Sequence, residues 1–148
     1  MRIVLDTNIL ARAASGPPGP AAELLTLCLR PPCVLCVSPF LLSELSRVLR
    51  YPRVRQLHGM DDSEIDSFVQ DLQTVSLIVN AVKDVGTVTS DPDDDEIVAA
   101  AIASGAAYLC TLDKHIRSPK VVAHCGSHGV AVISDVELLQ VLRRVMNE

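Results

Sequence analysis

The chain has 148 residues, of which 49% are apolar and 21% charged, and a formal net charge of −5. This composition excludes a disordered chain and the length suits a single domain over residues 1–148, while the acidic balance excludes a protein that coats nucleic acid by charge alone. No apolar run reaches the roughly 18 residues needed to span a bilayer, and Asp6 comes too early for a signal peptide, so an unprocessed cytoplasmic protein is expected.

Residues 2–5 are a branched apolar run of strand length that ends on Asp6-Thr7-Asn8. Ser15-Gly16-Pro17-Pro18-Gly19-Pro20 reads as a loop. Residues 21–29 then repeat apolar side chains at helical spacing. A second strand is expected at 34–37 and a helix at 39–49, opened by Ser38 as an N-cap type and Pro39 at the first helical position. Arg47, Arg50, Arg53 and Arg55 follow with no acid between them and Tyr51 in their midst, a pattern that suits phosphate binding or a solvated helix end equally. A helix at 63–73, a strand at 75–79 and an irregular connector at 80–90 come next. Asp91-Pro92 opens a helix over 92–103, and two further strands are expected at 107–110 and 130–133, with a last helix at 135–146. Strand and helix thus alternate about five times, which predicts an α/β fold with a parallel sheet covered by helices on both faces.

Five cysteines, an odd count, sit in apolar surroundings and read as buried free thiols. Cys33 and Cys36 form a lone CxxC with no second pair at zinc spacing, so no structural zinc site is expected.

In an open parallel sheet, ligands bind beyond the carboxyl ends of the strands, and the residues at those places are acidic. Asp6 follows the first strand, Thr111-Leu112-Asp113 follows the fourth, Glu44 lies one turn inside the helix after the second, and Asp91-Pro92-Asp93-Asp94-Asp95-Glu96 opens the helix after the connector. Glu44 and Asp95 flank the apolar stripes of their helices and can lean toward the sheet edge. Each acid has a local explanation. Asp6 and Asp113 suit capping of a following turn, Glu44 suits pairing with Arg47, and the run at 91–94 suits a helix N-terminus. Four carboxylates at one end of a sheet nonetheless repel one another by about 4 kcal/mol per close pair at the effective dielectric of a protein surface. Such a convergence asks for a cation, and oxygen-only ligands select Mg²⁺ or Mn²⁺.

The order Val4-Leu5-Asp6-Thr7-Asn8, Ser43-Glu44-Leu45, Asp91 to Asp95 followed by Ala99-Ala100-Ala101, then Tyr108-Leu109-Cys110-Thr111-Leu112-Asp113 resembles the PIN-domain superfamily. It is particularly similar to the bacterial and archaeal toxin components of toxin–antitoxin systems, relatives of the VapC toxins. The resemblance spans most of the chain and implies a metal-dependent endoribonuclease. Its four acids, which would be both catalytic and metal-holding, map to Asp6, Glu44, Asp95 and Asp113, with Asp94 as the rival for the third place. Thr7, Asn8 and Thr111 map to polar positions that steady the acids. Leu112 departs from the Gly or polar residue usual in relatives. The family's chemistry implies hydrolysis of an RNA phosphodiester with a divalent metal, and Arg12 and the arginines from Arg47 to Arg55 would hold the RNA backbone. An antitoxin that blocks the pocket is implied as well. The apolar faces at 21–29 and 63–73 could serve that partner or a homodimer, and burial within the domain explains them equally.

Three alternatives stand beside this reading. A non-catalytic PIN-like domain that binds RNA or protein would be expected to lack one of the acids. A phospho-acceptor receiver would want adjacent acids after the first strand and an Asp after the second. A haloacid-dehalogenase-like phosphatase would want an Asp where Asn8 stands.

Overall fold

In the computed structural model, which describes residues 1–16, 19–80 and 91–148, five short strands are embedded in helices. They are β1 (Arg2–Leu5), β2 (Val34–Val37), β3 (Leu77–Ile78), β4 (Tyr108–Cys110) and β5 (Ala131–Ile133). All neighbouring strands pair in parallel, in the order β3-β2-β1-β4-β5. Parallel strands covered on both faces read as unbroken apolar runs, and β1 obeys this: Ile3, Val4 and Leu5 are buried.

From β1 the chain steps outward to β2 and β3, then returns to the other side of β1 for β4 and β5. The direction of winding therefore reverses between β1 and β4, the place where α/β sheets leave a crevice. Because such crossovers are right-handed, the same reversal places α1 (Thr7–Ser15), α2 (Pro20–Cys28), α3 (Pro39–Leu49), α4 (Pro52–His58) and α5 (Asp62–Val75) on one face, and α6 (Pro92–Ser104) and α7 (Pro119–Ser127) on the other. Packing agrees: α1 lies against α2, α3 and α4, whereas α6 lies across β1, β2 and β4. The last helix, α8 (Asp135–Met146), closes against α2.

Five of the helices fall where periodicity predicts them. α1, α4 and α7 were not foreseen, and β3 is shorter than 75–79 because α5 runs on through Val75. Connector residues 81–90, and Pro17 and Pro18 of the expected loop, lie outside the described residues. All five cysteines are free and buried, as expected. Burial pushes the Cys28 thiol up and Cys110 to about 12, which leaves them protonated and inert. Among the described residues no helix is long and apolar enough to cross a membrane.

Core packing takes up most of the two helical faces considered for a partner. α2 buries Leu24, Leu27 and Cys28, and α5 buries Ile65 and Leu72.

Candidate active site

β1 and β4 end in step, with Leu5 paired to Cys110 and the Asp6 amide donating to the Cys110 carbonyl at 2.9 Å. The residues just beyond, Asp6 on one strand and Thr111 on the other, are thereby fixed side by side. The Thr111 hydroxyl donates to Asp6 Oδ2 at 2.7 Å and accepts from the Asp113 amide at 3.0 Å. One buried threonine thus orients the first acid and the turn that carries the last.

Asp6 is also the N-cap of α1, its Oδ1 accepting from the Thr7 amide at 2.7 Å. The Thr7 hydroxyl reaches across to α3 and donates to Glu44 Oε1 at 2.6 Å. Glu44, most of its side chain covered, has Arg47 at 3.8 Å on its other oxygen. Asp113 Oδ1 accepts from the His115 amide at 2.8 Å. The local roles considered from sequence are therefore all present. They do not exhaust the acids, because each carboxylate oxygen offers two acceptor directions.

Electrostatics separates Asp6 and Asp94 from ordinary surface acids. Asp6 is only 6% exposed, and burial raises its pKa, opposed by the Thr111 and Thr7 hydrogen bonds and reinforced by the charges of Glu44 and Asp113. Asp94, in the first turn of α6, is buried as well. Burial, then the charges of Asp113, Asp91 and Asp6, push it up to about 6, with His115 opposing. Among the described residues no ion pair reaches Asp6, Asp94 or Asp113. Asp95, one residue further round α6, is half-buried and is absent from the charges that raise Asp6 and Asp94.

The carboxylates and hydroxyls around the crevice offer oxygen donors, which fits a hard divalent cation. No three acidic, His or Cys side chains among the described residues form a ready-made cage. Mg²⁺ does not require one, since it keeps several waters and takes one or two carboxylates plus substrate phosphates.

The basic residues are distributed differently from the sequence expectation. Arg50 pairs with Asp66 at 2.7 Å and Arg55 with Asp62 at 2.7 Å, so acids of α5 neutralise half of the arginine stretch. Arg12 sits with Asp135 at 3.5 Å, its side chain still 57% exposed. Arg53 is exposed on α4. Asn8 and Arg12 lie one turn apart on α1 and border the hollow that opens beside Asp6 and Asp113. The far wall of this hollow comes from α4, which periodicity did not reveal; Pro52 at its start and the left-handed Gly59 at its end were the available signals.

The sequence profile described as the PIN domain matches residues 2–115. An uncharacterized protein of Methanocaldococcus jannaschii is 28% identical over 118 residues, which cover 80% of this chain and 74% of that protein. The fold is similar to a chain in the crystal structure of VapBC2 from Rickettsia felis bound to a DNA fragment from their promoter. That match has a TM-score of 0.63 at 18% identity and covers 90% of this chain and 98% of the other.

Proposed function

Because the chain belongs to the PIN-domain family, we propose that residues 1–148 form a single nuclease domain that hydrolyses RNA phosphodiester bonds with Mg²⁺ or Mn²⁺, as the toxin of a toxin–antitoxin pair. One observation carries the reading: Asp6 and Asp94 are buried beside the β1–β4 switch point, both are raised by burial and by the charge of Asp113, and no ion pair among the described residues neutralises them. Buried carboxylates left in this state are costly unless a cation joins them.

Asp6, Asp94 and Asp113 would hold the ion, with Glu44 at the edge of the site. Asp94 takes the third place in preference to Asp95 because it is the buried neighbour of the other two. When bound, the metal supplies Lewis-acid polarisation of the phosphodiester and acidifies the attacking water. The protein's own part is positioning. Thr111 holds Asp6 and the Asp113 turn, Thr7 holds Glu44, and Arg12 and Asn8 face the substrate from α1. The likeness to VapBC2 supports a protein antitoxin as partner.

The decisive experiment is cleavage of a mixed RNA panel with Mn²⁺ or Mg²⁺, with EDTA as control and Asp6→Asn as the variant. Metal-dependent cutting by the parent, reduced at least about a hundredfold in the variant, is expected, since even outer-sphere changes at metal sites cost 10–100-fold. A parent that neither takes up Mn²⁺ nor cuts would leave a non-catalytic binding domain.

A further inference from the structure

Beside the acids the crevice widens into a hollow of about 330 Å³, with Asp6 and Asp113 at its polar end and Asn8 and Arg12 along α1. The rest of the lining is mostly aliphatic, Ile9, Ala11, Val48, Val54, Leu57 and Leu112, with Ser15 as its one further polar side chain. We propose that this hollow receives one unpaired base of the RNA next to the scissile phosphate. The proposal deepens, and rests on, the nuclease reading above.

Three features carry it. The first is size. The volume is at the low end of the ~300–1,000 Å³ usual for small-molecule sites, so it suits a single nucleoside. A paired duplex presents its bases inside a stack, and proteins read it by shape along the shallow groove rather than by inserting a base into a hollow. The second is chemistry. A base has two apolar faces and a hydrogen-bonding edge, and extruded bases are gripped between apolar or aromatic side chains while that edge is read by polar groups. The aliphatic wall matches the faces. Asn8, whose amide offers both donors and an acceptor, matches the edge. The third is charge. Arg12 is the basic side chain of this lining, so a backbone phosphate has a cation at one rim while the acids at the other are reserved for the metal.

The position of Leu57 makes the hollow testable without disturbing the fold. It is 69% exposed, and α4 has no fully buried residue. An exposed leucine facing a hollow beside an acid cluster has little to do for stability.

The test compares the parent, Leu57→Ala and Asn8→Ala on a cleaved single-stranded RNA in which each nucleotide in turn is made abasic. In parallel, RNA carrying 2-aminopurine reports base burial on binding to Asp6→Asn and to Asp6→Asn with Leu57→Ala. Leu57→Ala is expected to raise KM about tenfold, the scale of losing one base contact, with kcat changed less than about twofold. At one abasic position that difference disappears, because the base has already been removed, and Asn8→Ala alters the preference among bases at that same position. Cleavage by the parent with no abasic-sensitive position and no Leu57 effect overturns the pocket and leaves the nuclease standing. Base burial that Leu57→Ala abolishes, in a protein that cuts nothing, keeps the pocket and overturns the nuclease. Failure of both readouts overturns both.

Discussion

Asp94 and Asp95 are adjacent in sequence but differ in burial, and the proposed function gives them different roles on that ground. Asp94 feels Asp6 and Asp113 from a covered position, so Asp94→Asn should lower Mn²⁺ affinity at least about tenfold while Asp95→Asn leaves it within about twofold, as read by isothermal titration. The same burial has a consequence for pH. The folded pKa of Asp94, about 6, lies above its unfolded value, so the native state holds the proton more tightly and stability falls as pH rises from about 4 through 6. In metal-free protein Asp94→Asn should therefore add about 1–3 kcal/mol near neutral pH and nothing at about pH 3.5, measured by urea denaturation. Thr111 is the corresponding test of positioning. Thr111→Val keeps the shape but strips Asp6 Oδ2 of its donor, which should cost about 1–3 kcal/mol and weaken Mn²⁺ binding, and Thr111→Ser should restore both.

Elements long enough to show a period were legible from the sequence, and those fixed by single residues were not. α3 and α8 begin and end as predicted because Ser38 and Ser134 cap them and their apolar stripes repeat for three turns. α1 was hidden because Asp6 does two things at once: it ends β1 and caps a helix that starts on the next residue, leaving no turn to mark the boundary. That concealment bears on the site, since α1 is what carries Asn8 and Arg12 to the hollow. Likewise Arg50 and Arg55 read as a free basic stretch until α5 brings Asp62 and Asp66 beside them, a long-range pairing that local spacing does not reveal. The convergence of acids was legible because β1 and β4 each deliver one at the same sheet end, whereas the difference in burial between Asp94 and Asp95, on which the proposed preference for Asp94 rests, depends on the rotation of α6. The start of α5 offers an independent check on the element scale. Asp61 and Glu64 form a reciprocal capping box, and Asp61→Ala should lower stability by about 0.5–2 kcal/mol without altering Mn²⁺ affinity, seen in parallel denaturation and titration curves.

At the scale of the whole molecule, the net charge of −5 and the pairing of its arginines restrict how RNA can be held. A protein that grips RNA by its backbone needs many unpaired cations, and each phosphate contact on a single strand adds about −0.7 to the slope of log affinity against log salt. Here Arg47 lies near Glu44, Arg50 and Arg55 are taken by α5, and Arg143 is held by Glu23 at 2.7 Å. Of the arginines expected to hold RNA, Arg12, with its looser partner, and Arg53 are the ones the proposed function leaves for the substrate. Binding of single-stranded RNA to Asp6→Asn, followed by fluorescence anisotropy across salt concentrations, should therefore show a slope of about −1 to −2. A steeper slope would mean that the Arg50 and Arg55 pairs open on binding, and Asp62→Asn with Asp66→Asn would then tighten RNA. A shallow slope, unchanged in that double variant, would place recognition in the crevice itself, where shape and the bound cation rather than surface charge select the substrate.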